Sequence, residues 1–428
     1  MKHFQTVTDR RLDRCRLHSE IPGLGLAALV LVSLAVSPAA WAASPKSWHI
    51  AKAADFGKGE LDGLALHPEW GLSVAPPIER VDVDAEFIHC WVREDDRLWL
   101  GTGLAGKVFV VDGKKVTEIA ALDSTLVGSL VGDGKGGVYA GLIGEAKIVH
   151  IDKAGKVEPV VSLGGAQHVW ALLRKGGQLF AGTGPGGQVF AVDTASKKAS
   201  LWAATDTEHV LTMAFDGDAI VAGTADSAML VRIEGKGNVR AIAAFPGGEV
   251  RSIARAGKSW YVALNGGTAT VKLAKLKPTA TEPGKDDDKP KSKAGAKKAK
   301  SSSGKGAVWV RTDDGLVTPL FASPEGMLSE IGVVGRAVVA GAARGGRVLV
   351  SDDQGRVQTL FDLKEEQILG IEMGEKGPRT LFTGKGAALY LVGEGKNEPM
   401  YTSQVLRETG VARWGRIEAR GSGKLTIA

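Results

Sequence analysis

The amino-acid sequence predicts an all-β protein, a seven-bladed β-propeller with four-stranded blades, and three observations carry that prediction. Glycine-bearing strands recur at a nearly constant period. The runs "LWLGTG", "VYAGLI", "LFAGTG", "IVAGTA", "YVALNG", "VVAGAA" and "LFTGKG" are anchored at Gly101, Gly141, Gly182, Gly223, Ala263, Gly341 and Gly384, with separations of 40, 41, 41, 40, 78 and 43 residues. Each unit also keeps one order of parts: an apolar run such as "HVWALLR", a turn, the anchor strand, a Gly-rich turn, a strand ending in an acidic residue, a turn, and a last strand such as "KVEPVVSL". Four strands in roughly 40 residues is the size of one blade. Finally, the 428-residue chain carries 58 glycines and 6% aromatic residues, a composition suited to short strands and tight turns, and shows no long amphipathic helix after its first residues. A four-stranded blade buries both faces only against its neighbours, so a closed ring is the arrangement that leaves no terminal blade exposed.

Residues 1–42 differ from the rest. A basic start (Arg10, Arg11, Arg14, Arg16) precedes the apolar "LGLAALVLVSLAV" and then "PAAWA", the layout of a secretory signal peptide, with an uncleaved N-terminal anchor as the alternative. Cleavage would leave a periplasmic or extracellular chain with no transmembrane span. Cys15 falls in this leader, so Cys90 is alone in the mature chain and no internal disulfide can form. Its setting, "FIHCWV", reads as a buried structural thiol rather than a nucleophile.

Residues 43–85 lead into the repeats. Within them the strand-like "LDGLALHPEWGLSVAPPIERV", 61–81, is expected to pack on the last blade or cap the ring, as a candidate ring-closing strand. The blades fill 86–400. The 78-residue step contains a basic insertion, 268–306, placed between the second and third strands of the fifth blade. Its stretch "TATEPGKDDDKPKSKAGAKKAKSSSGKG" has no aromatic or branched apolar residue and is expected to be disordered. It reads as an inert solvated loop or as an electrostatic tether to an anionic surface.

The formal net charge is +6. The insertion from 279 to 306 accounts for +4 and residues 1–42 for +2, so the folded remainder is neutral and nucleic acid is not an expected partner.

The stretch "LFAGTGPGGQVFAVD", with Gly182, Gly184 and Gly187 spaced G-x-G-x-x-G, raises the question of a dinucleotide site. Its context answers no. A phosphate cradle needs a helix N-terminus after the glycines, whereas "QVFAVD" reads as a strand, so the glycines form a hairpin turn. Asp112, Asp152, Asp193 and Asp352 read as turn residues.

In a propeller the first strand of each blade lines the central channel. Counting back from the anchors, with small turn-length adjustments in the first and last blades, the ring at the channel mouth reads His89, Val127, His168, His209, Glu249, Met327 and Gln367. His89, His168, His209, Glu249 and Gln367 are the candidate ligand-binding residues. His168, His209 and Glu249 are the candidate ligands of a divalent metal, since imidazole and carboxylate suit such an ion. The competing reading is that each His satisfies a backbone group at its own strand end. No catalytic residue is assigned: the chain has no Ser-His-Asp, paired-Cys or His-Glu-x-x-His motif in a recognisable context. No cofactor is expected beyond the metal.

After the last repeat comes "YTSQVLRETGVARWGRIEARGSGKLTIA". Tyr401, Ser403, Arg413, Trp414 and Gly415, together with the repeats and the leader, resemble a group of exported bacterial proteins, common in myxobacteria and their relatives, in which a propeller is followed by a β-sandwich. The resemblance implies that 401–428 opens a truncated sandwich or forms a C-terminal tail, and most of that group have no assigned activity. By architecture the chain is also similar, more distantly, to WD-repeat proteins, sugar-lactone hydrolases and streptogramin lyases, although the Gly-His and Trp-Asp signature of WD repeats is absent. Two functions are expected. One is a non-enzymatic scaffold binding a protein or a cell-envelope polysaccharide; the other is a lactonase- or lyase-type enzyme using a metal at the channel mouth.

Overall fold

The computed structural model describes residues 49–69, 71–267 and 305–404. The segments read as signal peptide, as most of the basic insertion and as the stretch following Gln404 lie outside those residues. By its contacts the chain divides between His49 and Ile50, and the unit starting at Ile50 is a β-propeller. Among the described residues the one helix is the single turn Ala53–Phe56.

The first blade is an antiparallel meander of Ile88–Glu94, Arg97–Thr102, Lys107–Asp112 and Lys115–Ala121. The same order recurs in the meanders that begin with Leu126–Gly132, His168–Lys175, His209–Asp216, Glu249–Ala256 and Leu328–Val334. In the last blade, Gln367–Gly374, Gly377–Gly384 and Ala388–Val392 supply three strands, and Ile78–Asp82 from the start of the chain pairs antiparallel with the third. Each first strand packs beside the first strand of the next blade, and Gln367–Gly374 packs on Ile88–Glu94, which completes a circuit.

Burial follows position within the blade. Second strands are sandwiched between neighbouring blades, so "LWLGT" in Arg97–Thr102 is buried at every residue. Fourth strands sit at the rim and are correspondingly polar: in Lys198–Ala204 only Ala203 is buried. Cores therefore lie between blades. Leu98, Leu100, Phe109, Phe382 and Leu389 form one cluster that joins the first blade to the last.

The glycine stretch of Gly182 to Gly187 is a hairpin, as its context predicts. Gln178–Gly184 runs into Gln188–Asp193, with Gly182 opposite Val189. Gly187 is required there twice over. Its φ is +53°, and a Cβ would lie 2.3 Å from the carbonyl oxygen of Thr207. Asp152, Asp193 and Asp352 serve their turns by accepting N–H bonds from Ala154, Ser196 and Gln354 respectively.

In several blades a threonine follows the anchor and marks the same level of the repeat. Thr102, Thr183 and Thr383 donate from Oγ1 to the carbonyls of Lys107, Gln188 and Ala388, at 2.9, 2.9 and 3.0 Å, across the turn that follows. In the last blade Thr383 pairs with Ile368 as Thr183 pairs with Val169. The residue equivalent to the anchor Gly182 is therefore Phe382 and not Gly384.

The lead-in is built into the sheet system. Leu64–His67 and Gly71–Val74 form a hairpin that pairs through Leu66 with Thr359, and Glu60–Asp62 pairs with Met400–Thr402.

Candidate functional site

The first strands share an irregularity that determines what faces the axis. In the first blade Ile88 pairs with Thr102 and Cys90 with Gly101, leaving His89 as the extra residue of a β-bulge. Trp170, Leu211, Arg251 and Leu369 hold the same place in their own strands. The residues just before them, Ile88, Val169, Val210, Val250 and Ile368, are fully buried in the inter-blade cores, while the bulged residues are half-buried.

This register corrects the expected ring. His168, His209, Glu249, Met327 and Gln367 do share one position, but His89 stands at the level of Trp170 and Arg251: the first blade keeps the same spacing from Ile88 to Gly101 as the third from Val169 to Gly182, so the turn-length adjustment applied in counting back does not hold there. Val127 is fully buried in a core and lines nothing.

His168 and His209 come together with Trp170. The ring centroids are 5.1 Å apart for His168 and Trp170, 5.8 Å for Trp170 and His209, and 6.3 Å for the two imidazoles. Trp170 Nε1–H donates to Nδ1 of His209 at 3.2 Å, and the backbone N–H of Gly144 donates to Nδ1 of His168 at 3.3 Å. With Nδ1 accepting in both, each neutral ring carries its proton on Nε2. Burial, with His209 alongside, holds the His168 pKa below its ordinary value. Gly184 makes the room: a Cβ on it would lie 1.9 Å from Nδ1 of His209.

Glu249 does not join them. Its carboxylate accepts from Asn265 Nδ2 at 2.9 Å, and Asn265 is itself tied to the backbone of Leu328. Among the described residues no group of three or more His, Cys, Asp or Glu is placed to hold a metal ion, so His168, His209 and Glu249 do not form the expected ligand set. Gln367 pairs with Gly384 on the opposite side of the repeat from the histidines, and Met327 is exposed.

Further along the axis, side chains from non-adjacent blades meet. Glu330 Oε2 accepts the Ile371 N–H at 2.8 Å and faces the Trp91 indole N–H at 3.5 Å. Burial pushes its carboxyl up to about 7, the donors and Arg251 opposing that shift. His89 is driven the other way, to about 4, by burial and then by the Arg251 charge. Trp91 stacks on Phe382 at 5.1 Å. Cys90 donates to the carbonyl of Val127 at 3.3 Å, and burial raises its pKa, as befits a structural thiol.

Trp91, Trp170, Arg251 and Glu330 are the axial residues that sequence reasoning missed. For two of them a signal was present: Trp170 and Arg251 each follow a ring residue by two positions, and a strand returns to the same face every second residue.

No protein-family model matches the chain, and no curated protein does. Solved structures do. A catalytically inactive virginiamycin B lyase from Staphylococcus aureus, with quinupristin, superposes with a TM-score of 0.55 at 12% identity, covering 74% of this chain and 99% of that one. A streptogramin B lyase gives 0.54 at 12% identity, covering 74% and 98%. The WD40 β-propeller domain of Doa1 gives 0.51 at 12% identity, covering 74% and 96%. At such identities the likeness is one of fold, and it extends to lyases and WD40 domains alike.

Proposed function

We propose that this chain is a seven-bladed, four-stranded propeller that is exported and acts as a binding scaffold in the cell envelope, recognising a protein or polysaccharide at the channel end formed by His168, Trp170 and His209. The cluster of those three rings carries the reading. Two imidazoles held in one tautomer by N–H donors, set against an indole, offer fixed Nε2–H donors beside a flat apolar face, which is a surface for recognition. The seven-blade count rests on the circuit of first strands, with Ile78–Asp82 as the shared strand of the last blade. The Lys-rich insertion, 268–306, would add an electrostatic tether to an anionic surface.

The test is a tryptophan-fluorescence titration of the purified chain with soluble envelope-polysaccharide fragments, alongside crosslinking in the envelope. A saturable signal or a defined crosslink, lost in Trp170→Ala and His209→Ala with folding intact, supports the scaffold. Turnover of a lactone or glycan linkage by the purified chain would replace it with an enzyme. Export is checked separately, by sequencing the N-terminus of the secreted protein, which is expected to begin at Ala43.

A further inference from the structure

Arg251 occupies, on another blade, the bulge position that Trp170 occupies in the ring cluster. Arg251 is half-buried in the bulge of the fifth blade's first strand, yet among the described residues its guanidinium makes no hydrogen bond or ion pair. Three other half-buried arginines are paired, Arg93 with Glu372, Arg232 with Asp216, and Arg347 with Glu325, while Arg174 shares the unpaired state on a strand end away from the bulge. A guanidinium withdrawn from bulk water without a partner is costly, and its planar fork of donors stays unused.

Glu330, whose carboxyl feels the Arg251 charge, is turned elsewhere. Its Oε2 is engaged by the Ile371 N–H and faces the Trp91 indole. His89, which feels the same guanidinium from the first blade, is neutral and brings no second positive charge. Trp91, stacked on Phe382, supplies a flat apolar wall on the same side of the channel as Glu330's contact. Gly370 lies against that indole, where a Cβ would be 2.9 Å from Nε1, so the wall is held flush with the backbone.

We propose that the central channel binds a small organic monocarboxylate, its carboxylate on the Arg251 guanidinium and its apolar body against Trp91. The charge balance selects this class. One guanidinium is satisfied by one carboxylate in fork-to-fork geometry. A phosphate dianion would bring a second negative charge towards Glu330 with no second cation to meet it.

The probe is benzoate, with benzamide as its neutral isostere and inorganic phosphate as the dianion, added to the full chain. Two signals are read: thermal unfolding, and phenylglyoxal modification of Arg251 followed by peptide mass spectrometry. Benzoate is expected to raise the unfolding temperature and protect Arg251, benzamide to do neither, and phosphate to protect far less. Arg251→Gln should weaken benzoate binding by roughly tenfold to a hundredfold, the range for a lost charge-assisted bond, and Arg251→Lys by less. Equal protection by benzamide or by phosphate overturns the proposal, as does undiminished binding by Arg251→Gln. Should that variant fail to fold, protection of the wild-type Arg251 still decides.

Discussion

Arg80 and Glu365, 285 residues apart in sequence, form a 2.7 Å ion pair across the seam where the two ends of the propeller unit meet. Arg80 lies on the strand added from the start of the chain. Glu365 just precedes Gln367–Gly374, and its second oxygen accepts the Tyr390 hydroxyl at 2.5 Å. Its side chain is only 5% exposed. A second pair repeats the arrangement on the inner strands: Arg93 Nη2 donates to Glu372 at 2.9 Å, joining the first strand of the first blade to that of the last.

Removing Arg80 therefore strands a buried carboxylate with one donor. Arg80→Met is expected to cost roughly 2–4 kcal/mol, below the full value for a buried pair because Arg80 itself retains solvent contact. Guanidinium denaturation measures it, and limited proteolysis should show Ile78–Asp82 opening first. A loss under about 0.5 kcal/mol would mean that the seam is held by the apolar cluster of Phe382 and Leu389 alone.

The turn glycines separate backbone strain from collision. Gly176 and Gly187 both have positive φ, +60° and +53°, but a Cβ on Gly176 meets nothing within 4 Å, whereas one on Gly187 strikes the Thr207 carbonyl. Gly176→Ala should cost about 1 kcal/mol, from the left-handed backbone alone, and Gly187→Ala roughly 2–3 kcal/mol. Equal costs by denaturation would show that the turn moves aside freely.

These residues show what the sequence disclosed and what it withheld. The strands, the hairpin at Gly182 to Gly187 and the blade period are local, written in alternation and turn residues within about 40 positions. Register is not local. The length of the turn before Arg97 is not legible in the sequence, and adjusting for it places His89 two positions from its level. In the last blade, Gly384 resembles an anchor more than Phe382 does, and the register of Thr383 opposite Ile368, with its bond to Ala388, identifies the equivalence. The meeting of Trp91 with Glu330 spans 239 residues and exists because non-adjacent blades converge on one axis.

Gly184 offers a test of the ring cluster that leaves the core untouched. A methyl there would displace His209 from Trp170, so Gly184→Ala should abolish ligand response at the channel end while changing tryptophan fluorescence. In the wild type, 15N NMR should find the proton of both His168 and His209 on Nε2. A proton on Nδ1 in either ring would contradict the hydrogen bonds from Trp170 and Gly144.

The axial pair Glu330 and His89 should write opposite slopes into stability against pH. Glu330 titrates near 7 when folded and near 4.5 when unfolded, so the fold holds its proton more tightly. Its contribution is fully present below pH 4.5 and disappears as pH rises through 7. His89 titrates near 4 when folded against 6.5 when unfolded. Its contribution is present above pH 6.5 and is lost as pH falls through 4. Each is worth about 3 kcal/mol at most, and between pH 4.5 and 6.5 the two slopes cancel. Glu330→Gln should therefore uncover the histidine, giving a protein whose urea midpoint climbs with pH across that window relative to the wild type. His89→Leu should uncover the carboxyl, with a midpoint that falls from pH 4.5 to 7, and the double variant should lose both slopes. Because the other titrating groups are common to all four proteins, the differences isolate the pair. A Glu330→Gln profile parallel to the wild type would show that the carboxyl is ionised inside the channel, and that Arg251 is already balanced.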